Sequence, residues 1–130
     1  MIIYHDDIRH ISAAQLAGFF VGWKKPLTCN QHLDLLAGST HFVVAIDQTT
    51  NRAVGFVSAL SDGVNSSFIP LLEVLPDYQN QGIGTTLMQK ILQKLDGITN
   101  VDLTCDADMQ PFYERFRMLQ SNGMVLRKYL

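Results

Sequence analysis

Apolar residues change their spacing along this chain, and each change marks a new element. Leu16, Phe19, Phe20 and Trp23 recur at intervals of three and four behind Ser12, and Lys24, Lys25 and Pro26 close the run, which predicts a first helix. Thr28 and Gln31 stand at capping-box spacing, the hydroxyl reaching forward and the amide reaching back to free backbone donors. Leu33, Leu35, Leu36 and Gly38 complete a second, short helix behind them. From His41 to Ile46 and from Arg52 to Leu60 the residues turn β-branched and aromatic, and the polar turn Asp47 to Asn51 between them predicts an antiparallel hairpin. Asp62-Gly63 marks the next turn, and a third strand runs from Ser67 to Leu75.

A helical period then returns. Ile83, Leu87, Met88, Ile91, Leu92 and Leu95 form one face opposite Thr85, Thr86, Gln89, Lys90, Gln93 and Lys94, and Asp96-Gly97 stops it. In TNVDLTC, Val101, Leu103 and Cys105 alternate with polar residues as in a half-buried strand. A strand, a helix and a strand in this order form a right-handed crossover that leaves the two strands parallel. A last helix is expected from about Asp108 to Arg117, with Pro111 in its first turn where the missing N–H removes no internal bond, and Met124 to Tyr129 reads as a final strand. Hairpin strands followed by a crossover define an α+β domain: a mixed, mostly antiparallel sheet with a central parallel strand pair, flanked by about four helices.

Composition narrows the function. A chain of 130 residues with 47% hydrophobic content suits one core, so residues 1–130 read as a single domain. Ten basic against twelve acidic side chains give a net charge of -2, which argues against a nucleic-acid partner. The longest apolar stretch in the first half, Leu16 to Trp23, is far short of the ~20 residues of a membrane span, and Asp6 and Asp7 do not suit a signal peptide. Cys29 and Cys105 lie too far apart to read as a disulfide framework or a metal pair, which fits a reducing cytoplasm. His5, His10, His32 and His41 have no metal-ligand spacing; they are expected at the surface or as caps, and no metal is expected.

The candidate chemistry begins where the third strand passes into the third helix. The first N–H groups of a helix have no internal partners and carry the positive end of its dipole. From Gln79 to Gly84 the chain offers successive donors, and Gly82 and Gly84 have no β-carbon to hold an anion away. A plainer reading is that Gly82 turns the chain and Gly84 lets the helix lie close to the sheet. A Walker loop is excluded because Thr85-Thr86, without lysine, follows Gly84. A dinucleotide fingerprint fits poorly, with Leu87 where a third glycine belongs, although Asp102 and Asp106 are available at the next strand.

QNQGIG, Gln79 to Gly84, placed between VLPDY and an amphipathic helix, resembles the Arg/Gln-x-x-Gly-x-Gly/Ala signature of the Gcn5-related N-acetyltransferases (GNAT). PFYERF, Pro111 to Phe116, is similar to the family's later segment at the expected separation, and the order of elements agrees over nearly the whole chain. The resemblance implies the GNAT fold and acetyl-CoA as co-substrate. It places the diphosphate on the amides of Gln79, Asn80, Gln81, Gly82, Ile83 and Gly84, near the hydroxyls of Thr85 and Thr86. It places the pantetheine arm along Glu73, Val74 and Leu75, with Asp106 and Phe112 beside the coenzyme. Asp106 stands where the family often has asparagine, and Arg117 where it usually has glycine. Pro70 cannot donate to a ladder, so a bulge or gap is expected in the third strand.

The resemblance makes Tyr113 the acid that protonates the leaving thiolate; its phenol, ordinarily ionising near ~10, is protonated at neutral pH. The plainer reading is a half-buried helix aromatic. Glu73, the sole charge in FIPLLEVLP, is the candidate base; otherwise it points outward or pairs with Arg115 or a lysine. Cys105, with no histidine partner, reads as a small core residue, and Phe19, Phe20 and Trp23 read mainly as core. In the family the loop matching Lys24 to Thr28 helps wall the acceptor site. These readings converge on acetyl transfer to the amine of a small molecule or peptide; the alternatives are a non-catalytic acyl-CoA binding module and a nucleotide-binding regulatory domain. Exposed strand edges near the C-terminus fit a homodimer.

Overall fold

A computed structural model of the chain describes residues 1–129. Strands β1 (Ile2–His5), β2 (His41–Asp47), β3 (Arg52–Ser61), β4 (Ser66–Val74) and β5 (Asn100–Asp102) form one sheet in that spatial order. The first three neighbouring pairs are antiparallel and β4 pairs β5 in parallel. The helices are α1 (Cys29–Gly38), α2 (Ile83–Lys94) and α3 (Gln110–Glu114), joined by short 3-10 turns. The mixed α+β sheet is therefore as expected, but the parallel pair stands at its end and there are three α-helices.

The apolar run of β2 is continuous because the strand is covered on both faces. Phe42, Val44 and Ile46 point into a cluster with Leu36, Phe19, Phe20 and Phe56, while Val43 and Ala45 join Val54, Val57, Leu87, Met88 and Ile91 under α2. The α1 capping box forms as its spacing predicts: Thr28 Oγ1 accepts from the Gln31 N–H at 3.1 Å and Gln31 Oε1 from the Thr28 N–H at 2.9 Å. Pro70 lies in a bulge, since the register shifts between Ser58 and Leu60 so that Ile69 and Pro70 together face Ala59.

Several expectations fail for identifiable reasons. The predicted first helix is only a 3-10 turn at Ala13–Leu16. Beyond it Gly18 (φ 93°), Phe20 (φ 64°) and Gly22 (φ 84°) adopt left-handed backbone, so the spacing of apolar residues belongs to a folded loop. Phe19 and Phe20 are buried, as expected, but Trp23 is 46% exposed. β1 escaped the reading because four residues are too few to show a period; it is held by β2. β5 ends at Asp102, and Cys105 is exposed, not core. The last helix is cut to Gln110–Glu114, and Arg117 turns left-handed (φ 65°) where the family has glycine. Met124 to Tyr129 forms no strand: with no sheet edge against it, Met124 is wholly exposed, because strand preference expresses a half-buried pleated surface. The edge expected there for a homodimer is absent, and the free edges belong to β1 and β5. No helix among the described residues is long and apolar enough to cross a membrane.

His32, expected at the surface or as a cap, is fully buried. Its ring lies 4.3 Å from Phe56, 4.9 Å from Phe20 and 5.3 Å from Phe19, and neither ring nitrogen has a hydrogen-bond partner among the described residues. Burial lowers its pKa from the ordinary 6.5 to about 4. The unfolded chain thus binds the proton that the folded one refuses, so stability falls as pH drops from 6.5 toward 4, by at most about 3 kcal/mol. Urea melts at stepped pH are expected to show this slope in the wild type and to lose it in His32→Leu. Asp47 and Asp62, whose pKa values are lowered by hydrogen bonds, act below that window.

Candidate functional site

The loop before α2 is pinned at both ends. Tyr78 Oη donates to Asp47 Oδ2 at 2.7 Å, tying the Pro76–Tyr78 turn to the β2–β3 hairpin. Gln79 Nε2 donates to the Val74 carbonyl at 3.0 Å. Between these points and the helix, Asn80 (φ 63°) and Gly82 (φ 85°) both take left-handed backbone, folding the chain so that successive N–H groups gather at the mouth of α2. Among the described residues, the N–H groups from Asn80 to Thr85 have no intramolecular acceptor. A β-carbon on Gly82 would meet nothing within 4 Å, so the approach to these donors is open. A β-carbon on Gly84 would meet Phe112 Cζ at 3.6 Å and Val74 Cγ2 at 3.8 Å, ordinary contact distances, so close approach of the helix does not by itself demand glycine there.

The edge of β4 beside this loop is also open. β5 pairs only with Ser66, Ser67 and Phe68. Farther along β4, the Leu75 N–H donates to the Val54 carbonyl at 2.9 Å on the β3 side. By strand alternation the polar groups of Val74 then point away from β3, where no strand follows; the carbonyl takes the Gln79 side-chain amide, which leaves the N–H facing the gap. The two strands splay as the third-strand proline suggested.

Phe112 reaches the same mouth from α3, close to Gly84, and Tyr113 lies next to it with ring centroids 5.0 Å apart. Both are half-buried against the α2 cluster. Burial, and secondarily the neighbouring Cys105, push the Tyr113 phenol up to about 12. It is a proton donor over the whole ordinary pH range. The Cys105 thiol is itself raised, by partial desolvation and then by Asp106 and Asp108, which disfavours the thiolate a nucleophile needs. Asp106 is exposed at the start of the turn before α3.

The two hydroxyls expected near phosphate are engaged differently. Thr86 Oγ1 donates to the Gly82 carbonyl at 3.1 Å, and Thr85 Oγ1 accepts from Arg115 Nη2 at 3.0 Å. Arg115 packs over the rings of Phe112 and Phe116 and brings a positive charge to the start of α2. Nothing in the sequence joined it to Thr85, thirty residues away. Glu73 is likewise differently partnered. Its carboxylate accepts from the Phe20 N–H at 2.9 and 3.0 Å and from the Val21 N–H at 3.3 Å, so it bonds neither Arg115 nor a lysine.

An open anion cradle at a helix mouth, a splayed strand edge and a half-buried phenol on α3 make up the candidate site. Residues 8–117 match the acetyltransferase (GNAT) family model, and the chain belongs to that family. Among solved structures, a protein from Deinococcus radiodurans R1 classed as an acetyltransferase is 40% identical, with a TM-score of 0.95 over 98% of this chain and 89% of that one. Glucosamine-6-phosphate N-acetyltransferase from Arabidopsis thaliana shares the fold at 13% identity, with a TM-score of 0.74 over 99% of both chains. A curated relative in Porphyra purpurea, named as the uncharacterized N-acetyltransferase ycf52, is 24% identical over 91% of this chain and 71% of its own length.

Proposed function

We propose that this protein transfers the acetyl group of acetyl-CoA directly to the amine of a small molecule or peptide. The observation that carries the reading is the run of unaccepted amides from Asn80 to Thr85, opened by left-handed Asn80 and Gly82. The diphosphate would lie on the amides of Asn80, Gln81, Gly82, Ile83 and Gly84, with Thr85, Thr86 and Arg115 beside it; the Gln79 N–H, expected among them, donates instead to the Pro76 carbonyl at 3.3 Å and closes the turn before the cradle. The Val74 N–H, with Leu75 next to it, would meet the pantetheine arm, while Asp106, Phe112 and Tyr113 border its other side. Acetyl-CoA supplies an activated thioester. The strand edge orients that acyl group, the aromatic rings exclude water, and the Tyr113 hydroxyl holds a proton for the departing sulfur.

Coenzyme A and acetyl-CoA are expected to raise the melting midpoint, because a ligand of the folded state stabilises it by mass action. Thiol release across a panel of amines then identifies acceptors. Tyr113→Phe is expected to retain the coenzyme shift and to lose about 10²-fold in kcat. A shift without turnover on any amine would point to a binding module; tighter binding of ATP or NAD would sink the coenzyme reading.

A further inference from the structure

Phe20 is a bulky residue in left-handed backbone (φ 64°), a conformation such side chains rarely hold without external support. The support is visible. Its ring is buried against Phe56 and His32, and its N–H points into the Glu73 carboxylate. The adjacent Val21 N–H meets the same carboxylate. At the start of the segment, Arg52 Nη2 donates to the Ala17 carbonyl at 3.1 Å. Ala17 to Trp23 is therefore a loop fastened from β3 and β4, and Val21 and Trp23 project from it, 60% and 46% exposed. Glu73 precedes Val74, whose N–H faces the open edge.

We infer that Glu73 is a positioning residue that fastens this loop beside the transfer site, and not the general base. Two backbone N–H groups hold the carboxylate, that of Phe20 shared between both oxygens and that of Val21 on one of them, and both belong to the loop. The exposed Val21 and Trp23 then give an apolar rim to the space next to β4. This inference rests on the acetyltransferase reading for its catalytic consequence, but the fastening itself can be tested apart from it.

Trp23 is the sole tryptophan, and its ring lies 4.8 Å from that of Phe20, so its emission reports the loop. Glu73→Ala is expected to shift that emission to the red, to increase acrylamide quenching, and to raise KM at least about tenfold for an amine that the wild type acetylates. KM for acetyl-CoA is expected to rise less than KM for the amine. Glu73→Gln keeps one oxygen able to accept from both amides; it is expected to give emission near that of the wild type and kcat within about tenfold. Wild-type emission in Glu73→Gln with kcat lowered ~10²-fold or more would establish a base instead. Unchanged emission and quenching in folded Glu73→Ala would remove the fastening role. Absence of any coenzyme shift in the wild type would defeat the acetyltransferase reading alone, and the emission comparison would still decide what holds the loop.

Discussion

Gly82→Asp is expected to fold as the wild type does and to lose the thermal shift given by coenzyme A. The position has open space around a β-carbon, so no neighbour is displaced. Its φ of 85° is left-handed, a region that asparagine and aspartate enter more readily than other side chains, so the strain is on the order of 1 kcal/mol. A carboxylate at a helix N-terminus also gains about 0.3–1 kcal/mol from the dipole, which offsets part of that strain. The free protein therefore keeps nearly its own midpoint. Binding is another matter, because the added negative charge occupies the place where amide donors would meet a diphosphate. A ligand at 100 times its Kd stabilises by about 2.7 kcal/mol, and an affinity loss of 100-fold or more removes most of that gain. Gly82→Asn separates the causes: it has the same size and backbone tolerance without the charge, and is expected to keep most of the shift. Equal loss in both variants would make bulk the cause, and a full shift in Gly82→Asp would count against the cradle.

That cradle was readable because its chemistry is local. Gly82 and Gly84, the strand before them and the apolar period after them lie within about twenty residues, and the backbone does the work. The hairpin and α1 were legible for the same reason: turn and cap residues sit beside the elements they shape. What the sequence left hidden depends on partners far along the chain. The loop from Ala17 to Trp23 owes its shape to Glu73, more than fifty residues away, and to buried rings, which outweigh the helical spacing of Leu16, Phe19 and Phe20. His32 looked like a surface histidine because nothing in its neighbours announces three phenylalanines closing over it. Leu103 and Cys105 alternate correctly for a strand, yet alternation forms no ladder once the facing chain diverges. The splay that denied them a partner is the feature that leaves the Val74 N–H without a neighbouring strand.

Gly55 went unnoticed in the sequence, and its replacement is expected to be the most damaging to the fold. It lies in β3 where α2 crosses the sheet. A β-carbon there would fall 3.1 Å from Leu87 Cδ1, 3.2 Å from Ile83 Cγ2 and 3.3 Å from the Glu73 carbonyl oxygen. The first two neighbours are fully or nearly fully buried, so they have little room to move, and the third is backbone of the paired strand. Gly to Ala in a strand ordinarily gains a few tenths to about 1 kcal/mol by restricting the unfolded chain. Here overpacking reverses the sign, and Gly55→Ala is expected to lose about 1–3 kcal/mol. Gly55→Val adds two methyl groups to the same gap and is expected to lose more than about 3 kcal/mol, a large share of the stability of a small domain. The site would suffer with the core. Ile83 begins α2, so lifting it from Gly55 shifts the mouth of the helix relative to the β4 edge, the two surfaces that a coenzyme must touch together. Urea melts give the stability, and coenzyme titration of the folded fraction gives the coupling. In Gly55→Ala the affinity is expected to fall although no substituted atom reaches the cradle. Wild-type stability in Gly55→Val would show that α2 rides on the sheet with slack, and the close fit argued from these three contacts would then be wrong.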